Sequence, residues 1–275
     1  MEHTLDPSEK SGYLDEDFRL FHLRDQAQKN YSFHYHDFHK IIIFLSGKVS
    51  YHIEGKTYHL SPWDILLVSR GAIHKPEIDF SVPYERFVLW IREDIGNTEL
   101  NTCFQKANDR SFSLIRLDSR LLERLKDILF ELERSLSGSA FGDSLLKTAL
   151  FTQFMIYINR IFLEKTYITD KASYSSDSQI ESLLRYINLH LDGDLSIDRL
   201  AEDFFFSKYH MMRKFKEATG YTVHNYIVSK RLLLARSLIT QGLPVMKASA
   251  QSGFRDYTSF VRAYKKQFGG PPTQI

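Results

Sequence analysis

The chain has 275 residues, 43% of them hydrophobic and 25% charged, with a formal net charge of +2, as expected of a soluble globular protein with two domains. Its single cysteine, Cys103, excludes an internal disulfide framework and a cysteine-rich zinc site. The richest apolar run, 151–163, is too short and too interrupted to span a bilayer, and residues 1–20 do not resemble a signal peptide, so we expect a cytoplasmic protein.

Short apolar or alternating runs, each followed by turn residues such as Glu54-Gly55, fill the first third of the chain. Strands are typically short and bounded in this way, and no helical periodicity separates the runs. The pattern therefore predicts a small β-barrel or jelly roll. The predicted strands within residues 31–91 lie at 41–45, 49–53, 58–60, 65–68 and 87–91.

Helical periodicity begins near residue 119, where apolar side chains recur at intervals of three and four. A second predicted helix, from about 143 to 164, is apolar on nearly all sides and needs cover from two directions. We expect the barrel on one side and a second subunit on the other. The predicted dimer stripe consists of Leu121, Leu125, Ile128 and Leu132.

Charge divides the rest of the chain into two parts. Residues 166–178 are polar and predict a linker. The following segment, 179–275, holds 14 basic and 8 acidic residues, whereas the remainder of the chain has more acidic than basic residues. A basic module beside an acidic one is typical of a nucleic-acid reader joined to a separate sensing domain.

One pattern occurs twice in the last hundred residues: a short helix, a tight turn, and a second helix with an arginine on its polar side. This is the arrangement of a helix-turn-helix, and two such units can reach successive major grooves about 34 Å apart. We expect seven helices here, with Ser196 and Ser207 capping two of them through their side chains. The paired positions are Leu200-Ala201 with Ala248-Ser249, Phe206-Ser207 with Gly253-Phe254, and Arg213 with Arg262.

Residues 179–275 resemble the DNA-binding domain of the AraC/XylS family of bacterial transcription regulators. The segment before them resembles the family's cupin-like sensor barrel, through His34-x-His36, Gly47, Gly55, Asp64 and His74. The C-terminal resemblance rests on Leu200-Ala201, Ser207, Arg213, Phe215-Lys216, Gly220, Tyr226, Arg231, Ala235, Gly253-Phe254, Phe260, Arg262, Lys265-Lys266, Gly269 and Pro272.

The resemblance implies an α+β multidomain protein. Its parts would be a cupin-like sensor barrel at 1–115, a helical dimerisation segment at 116–165, the linker at 166–178, and an all-α domain with two helix-turn-helix units at 179–275. The second unit departs from the family pattern at Ala248-Ser249 and Ser252, where apolar volume is lost. We therefore expect the second unit to be less stable than the first.

By the same resemblance, the two recognition helices are roughly 208–218 and 256–267. Arginine suits base reading because its planar fork matches guanine O6 and N7, whereas lysines contact phosphates. The residues expected to face DNA are Lys208, Tyr209, Met212, Arg213 and Lys216 in the first unit, and Tyr257, Thr258, Val261, Arg262 and Lys265 in the second.

A second group of candidates lies in the barrel: His34, His36, Lys40 and His74. In metal-binding cupins an H-x-H pair is followed four residues later by a glutamate, but here that position is Lys40, and a cation opposes a metal ion. We expect an organic effector and no metal or other cofactor. Three-histidine zinc or iron binding by His34, His36 and His74 is the weaker alternative.

These observations predict a ligand-responsive, sequence-specific transcriptional regulator without catalytic activity. Its expected partners are double-stranded DNA, a small-molecule effector, a second copy of the chain and RNA polymerase, with no membrane. The alternative is a metal-dependent cupin enzyme with an accessory DNA-binding domain, which would require stoichiometric metal.

Overall fold

The computed structural model describes residues 14–26, 31–93, 95–138, 140–168 and 171–274. Most of the N-terminal segment that we expect to lack a signal peptide therefore lies outside the described residues. The described residues form nine strands: β1 Phe18–Asp25, β2 His39–Ser46, β3 Val49–Ile53, β4 Lys56–His59, β5 Ile65–Val68, β6 His74–Ile78, β7 Tyr84–Ile91, β8 Leu114–Ile115 and β9 Tyr174–Ser176.

The strands form two antiparallel sheets with the orders β1-β7-β2-β5-β8 and β6-β3-β4-β9. A shared core of side chains such as Phe44, Tyr51 and Val68 fills the space between them. Strand β2 is buried on both faces, because its other face packs against helices. This explains why the 41–45 run is continuously apolar rather than alternating.

Three helices cover the outer face of the larger sheet: α1 Thr102–Arg110, α2 Ser119–Leu136 and α3 Asp143–Glu164. The prediction that the α2 stripe forms a dimer contact is wrong. Leu125, Ile128 and Leu132 are buried in the core shared with the barrel, and Leu121 packs against that core. The stripe is used within the chain because α2 needs only one apolar face, and the sheet supplies its cover.

The C-terminal part contains six α-helices among its described residues, one fewer than expected. Ser207 caps its helix as predicted, since its hydroxyl accepts from the His210 N–H, but the Ser196 side chain makes no such bond. The helices are α4 Ser178–Leu189, α5 Ile197–Asp203, α6 Lys208–Thr219, α7 Val223–Thr240, α8 Val245–Gln251 and α9 Tyr257–Phe268.

The segment 166–178, read from the sequence as a linker, contains strand β9. Residues 174–176 pair with β4 and so extend the smaller sheet. Asp177 then caps α4 through its carboxylate and forms an ion pair with Lys214 of α6 at 2.6 Å. The chain therefore enters the helical domain directly from the edge of the barrel.

Candidate functional site

The first helix-turn-helix unit consists of α5 and α6, with a buried side that fixes its outward surface. Met211 and Phe215 are fully buried in a core that also contains Leu200 and Ala201. Since side chains four apart share one helix face, Met212 and Arg213, which lie between them, point outwards. The outward residues of α6 are those predicted to face DNA, and all are exposed: Lys208, Tyr209, Met212, Arg213 and Lys216.

The second unit, α8 and α9, presents an equivalent surface. Phe260 and Tyr264 are buried against α7. Four predicted residues of α9 are exposed, namely Tyr257, Thr258, Arg262 and Lys265. The fifth, Val261, is partly buried and packs against the Phe260 cluster, so it presents less side chain outwards.

A cavity of about 290 Å³ lies inside the barrel and holds two of the four predicted effector residues. His34 and Lys40 line it together with Tyr51, Arg86 and other side chains. His36 and His74 lie next to His34, with ring centroids 5.0 and 4.4 Å from its ring. The four predicted residues therefore form one cluster at the cavity wall. The remaining lining residues are Phe21, Leu23, Tyr31, Ile42, Pro76, Tyr84, Val88 and Trp90.

Hydrogen bonds define the state of two histidines in this cluster. His74 Nδ1 lies 2.9 Å from the Ala72 carbonyl, and His34 Nδ1 lies 2.8 Å from that of Ser32, so each Nδ1 must carry the proton. Their Nε2 atoms are left as acceptors. The Lys40 ammonium donates to His74 Nε2 at 3.2 Å. Burial, followed by the nearby Lys40, keeps the pKa of His74 well below its ordinary value, so the ring is neutral.

The three histidines lie close enough together for a metal site. The nearest ring nitrogens of His34, His36 and His74 lie within 4.8 Å of one another, and backbone-bonded Nδ1 atoms are common behind metal ligands. However, the ammonium of Lys40 occupies the lone pair of His74 Nε2 that an ion would need. A positive charge at that position opposes a metal ion. The residues present do not fit a metal unless Lys40 moves.

A second, larger cavity of about 490 Å³ lies between the barrel and the helical domain. Its buried charges are already paired. Lys56 contacts Glu181 of α4 at 2.8 Å, and Lys230 of α7 contacts Glu54 at 2.7 Å. The cleft therefore has contacts that hold the two domains together, whereas the barrel cavity is lined by Lys40, which pairs with no described carboxylate.

One face of α7 is attached to the barrel, and we call this region the domain contact: Glu54, Gly71, Tyr226, Lys230 and Leu233. The Glu54 carboxylate accepts hydrogen bonds from Tyr226, from Lys230 and from the Ile73 N–H. Lys230 also donates to the Gly71 carbonyl at 2.9 Å. Because residues 226, 230 and 233 are spaced by four and three, they share one helix face.

Two glycines allow this close approach. A Cβ on Gly71 would lie 2.8 Å from Leu233 of α7, and a Cβ on Gly55 would lie 2.5 Å from Leu184 of α4. Both have positive φ, at +72° and +78°, a conformation that favours glycine. The barrel loops are therefore shaped to receive the helical domain.

Sequence reasoning missed several of these residues. Arg86 lines the barrel cavity, but the predicted strand began only at Phe87. A period-two reading of Arg86, Val88 and Trp90 would have placed all three on one face. Glu54 was recognised only as a turn residue, since its partners in α7 lie more than 170 residues away in the chain.

Comparison with known families gives two matches. Residues 19–155 match the AraC-like ligand binding domain, and residues 200–275 match a helix-turn-helix domain. Together they cover more than three quarters of the chain. Among the described residues, no helix combines the length and the apolar character needed to cross a membrane.

Similar proteins include the HTH-type transcriptional activator RhaS of Escherichia fergusonii and that of Salmonella schwarzengrund. The first is 24% identical and the second 23% identical, and each alignment covers 88% of this chain and 86% of the relative. Among solved structures, ToxT from Vibrio cholerae is 14% identical, covers 94% of this chain and 97% of its own, and superposes with a TM-score of 0.36.

The chain belongs to the AraC family of transcriptional regulators, with a ligand-binding domain followed by a helix-turn-helix DNA-binding domain. The predicted family and the predicted fold class, a β-rich N-terminal domain with a helical C-terminal domain, are confirmed.

Proposed function

We propose that this AraC-family protein reads a promoter with both helix-turn-helix units, binds its effector in the barrel cavity, and carries the signal through the domain contact. The observation that carries the proposal is the pairing of two exposed recognition surfaces on one helical domain whose shared helix, α7, is attached to the barrel. A promoter-binding protein of this kind acts in the bacterial cytoplasm. We propose that the protein has no catalytic activity.

DNA reading is assigned to Arg213 and Arg262. Both are exposed at equivalent positions of α6 and α9. Each guanidinium can donate two hydrogen bonds to guanine, while Lys216 and Lys265, one turn further along, suit phosphate contacts. Lys208 is paired with Asp198 at 2.5 Å and would have to leave that partner to reach DNA.

The effector site is assigned to the barrel cavity, with His34, His36, Lys40 and His74 as its polar wall. A concave site with a mostly apolar lining and a few convergent polar groups is the usual form of a small-molecule site. The alternative of a cupin enzyme requires a stoichiometric metal on the three histidines. Elemental analysis of protein purified without a chelating column tests it, and about one zinc or iron per chain, lost in His74→Ala, would favour the enzyme.

Transmission is assigned to the domain contact. A ligand can shift an equilibrium only as far as it prefers one arrangement of the domains over another. The contact selects one arrangement because Glu54 receives three hydrogen bonds, two of them from α7. Changes in the barrel that move the β3–β4 turn would release or reposition α7, and with it both reading units.

The charge on Glu54 provides a direct test of this route. We expect Glu54→Gln to change the affinity of the full chain for its operator, because Lys230 loses its counter-ion and α7 is held less firmly. Glu77→Gln is the matched control, since Glu77 forms an exposed pair with His52 on the same barrel. Equal affinities for wild type and Glu54→Gln, measured by fluorescence anisotropy, would contradict the proposal.

We propose a homodimer through the outer face of α3 instead of α2. Leu145 and Ile156 are exposed there and are linked through Ala149 and Thr152 by alternating steps of four and three, and the exposed Leu163 follows two turns later. Such a spacing forms the seam of a coiled coil. Ile156→Glu should dissociate the dimer in sedimentation without unfolding it, and a monomeric wild type at micromolar concentration would rule the dimer out. We also propose that the protein contacts RNA polymerase, because the similar RhaS proteins are transcriptional activators.

DNA binding itself is tested with the full chain on a duplex obtained by binding-site selection and on a scrambled duplex. We expect the selected duplex to bind at least about a thousand times more tightly at physiological salt. The affinity should also fall steeply with salt, because lysines displace counter-ions from phosphates. Equal affinities for the two duplexes would remove the sequence-specific function.

A further inference from the structure

Lys40 is a buried cation with no acid to balance it. Only 8% of the residue is exposed, and it lines the barrel cavity. Its single hydrogen-bond partner within the described chain is the neutral ring of His74, at 3.2 Å. None of the carboxylates in the described ranges lies within ion-pair distance of it. Buried lysines normally pair with an acid, because moving an unpaired charge out of water is costly.

The second cation of the cavity does not share this property. Arg86 donates to the Asp25 carboxylate at 2.6 Å and stacks on the ring of Tyr84 at 4.1 Å. Its charge is therefore balanced within the protein. The positive charge of Lys40 remains as the net charge of the cavity wall, and a ligand with one negative charge would balance it.

One further donor in the same wall lacks a described acceptor. Trp90 lines the cavity, and its indole N–H is screened from solvent without an acceptor among the described residues. Tyr51, another lining residue, carries a hydroxyl that can also donate to a ligand. A buried donor without an acceptor costs about 1–3 kcal/mol, so such groups usually indicate a missing partner.

We propose that the effector is a small organic monocarboxylate whose carboxylate lies against the Lys40 ammonium, with an apolar body filling the rest of the cavity. This inference rests on the proposed function, since it names the ligand class of the same barrel site. The apolar body follows from the lining, which contributes Phe21, Leu23 and Val88. Trp90 and Tyr51 would supply the remaining hydrogen bonds.

The ionisation of Lys40 agrees with this assignment. Burial, and secondly the charge of Arg86, lowers the pKa of Lys40 to about 7. These surroundings favour loss of the charge, whereas a carboxylate beside the amine favours the charged form by direct attraction. The ligand would bind together with a proton whenever the amine is neutral.

The test uses pairs of acids and their neutral amides: acetate with acetamide, butyrate with butyramide, hexanoate with hexanamide, and 3-phenylpropionate with its amide. Binding to the full chain is measured by calorimetry and by thermal shift at constant ionic strength. We expect at least one acid to bind more tightly than its amide. Lys40→Met should weaken that acid about 10- to 100-fold, as expected for a lost charge-assisted hydrogen bond.

Lys48→Met is the control, because Lys48 is an exposed lysine of the same barrel that pairs with Asp79 at 3.5 Å. It should bind the acid like wild type. Lys40→Met should fold, since the change removes an unbalanced buried charge, and a cooperative thermal unfolding transition followed by tryptophan emission of the barrel will check this.

Two outcomes would overturn the inference: none of the four acids binds more tightly than its amide, or wild type and Lys40→Met bind the preferred acid equally. A neutral ligand that changes the affinity for DNA would overturn the carboxylate assignment but would support the proposed sensing function of the barrel. Loss of specific DNA binding by wild type would instead remove the proposed function, so the two failures are distinguishable.

Discussion

The two helix-turn-helix units share one plan but differ in how they are anchored. The core of the first unit is continuous with the barrel, because Ile73 belongs to it and Phe33 packs against it. The core of the second unit has four fully buried apolar residues, Leu232, Ala235, Phe260 and Tyr264, and half of them come from α7. The first unit is therefore held by the sensor, and the second by α7.

The turns differ in the same direction. At the left-handed position the first unit has Phe205, with φ +56°, whereas the second has Gly253, with φ +90°. Gly253 therefore aligns with Phe205, and the pairing with Phe206 expected from the sequence is wrong by one residue. The side chain of Phe205 is 92% exposed and gains little from packing. A Cβ on Gly253 would lie 2.1 Å from the Leu191 carbonyl oxygen. The first turn tolerates strain, and the second is fitted tightly against the loop after α4.

Under the proposed transmission, an effector signal would reach both units through one helix, α7. The barrel contacts α7 through the domain contact, and α7 contributes to both cores. The buried Ser252, whose hydroxyl donates to the Ser249 carbonyl, occupies a position where the first unit has an aromatic residue, Phe204. The second unit thus depends more on α7 than on its own apolar volume.

The largest predicted effect is acid destabilisation of the barrel, which anchors the first unit. Burial lowers the pKa of His39 to about 3, and that of His74 lies well below its ordinary value. In the unfolded chain both titrate near 6.5, so the unfolded state binds more protons below that pH and stability falls. Between pH 6.5 and 5, His39 should cost about 2 kcal/mol, and His74 should add a loss of the same sign.

Fluorescence can follow this loss separately, because both tryptophans, Trp63 and Trp90, lie in the barrel. Denaturant unfolding at pH 7 and pH 5 should show the loss in tryptophan emission. The helical domain has no buried histidine among its described residues, and its helical signal should be affected less. Equal losses in both signals would contradict the claim that acid destabilises the barrel more than the helical domain.

The next effect concerns the close contact between Gly253 of the second unit and Leu191, in the loop after α4. Gly253→Ala should destabilise the second unit by about 2–4 kcal/mol. The new methyl would clash with the Leu191 carbonyl, and alanine is strained at this positive φ. Gly242→Ala is the matched control: its φ is +92°, and no atom lies within 4 Å of the new Cβ. It should cost only about 1 kcal/mol. Hydrogen exchange of α8 and α9 amides measures both, and equal protection losses would disprove the close fit.

The smallest effect relieves the strain in the first turn. Phe205→Gly should stabilise the protein by less than about 1 kcal/mol, because the left-handed cost exceeds the entropy that glycine loses on folding. Phe205→Ala keeps the Cβ and should give no gain. Thermal unfolding compares the two variants, and a stabilisation by alanine as large as that by glycine would assign the effect to the exposed ring.

Local patterns predicted much of the fold. Strands 49–53 and 65–68 and the helix 143–164 have the predicted bounds. Strand β1 was missed because both its faces carry apolar side chains among charges such as Arg19 and Arg24. Strand β6 was missed because Pro76 argues against a strand, but β6 is an edge strand, where proline is tolerated.

The site was predicted only where the residues are close in the chain. His34, His36 and Lys40 lie in one short segment and meet at one wall of the cavity. Arg86 and Trp90 join them through sheet pairing, which local spacing does not reveal. The domain contact depends on partners in separate domains, and the burial of the α2 stripe depends on which face the sheet covers. Neither the domain contact nor the partner of the α2 stripe can be predicted from the spacing of residues along the chain.

The most direct test of the account is binding-site selection with wild type, Arg213→Ala and Arg262→Ala. For wild type we expect two preferred elements about one helical turn apart. Each substitution should relax base preference in a different element and cost about 1–3 kcal/mol on the selected duplex. If either variant loses affinity equally on selected and random DNA, with unchanged preference in both elements, then these arginines do not read bases and the two-unit account is contradicted.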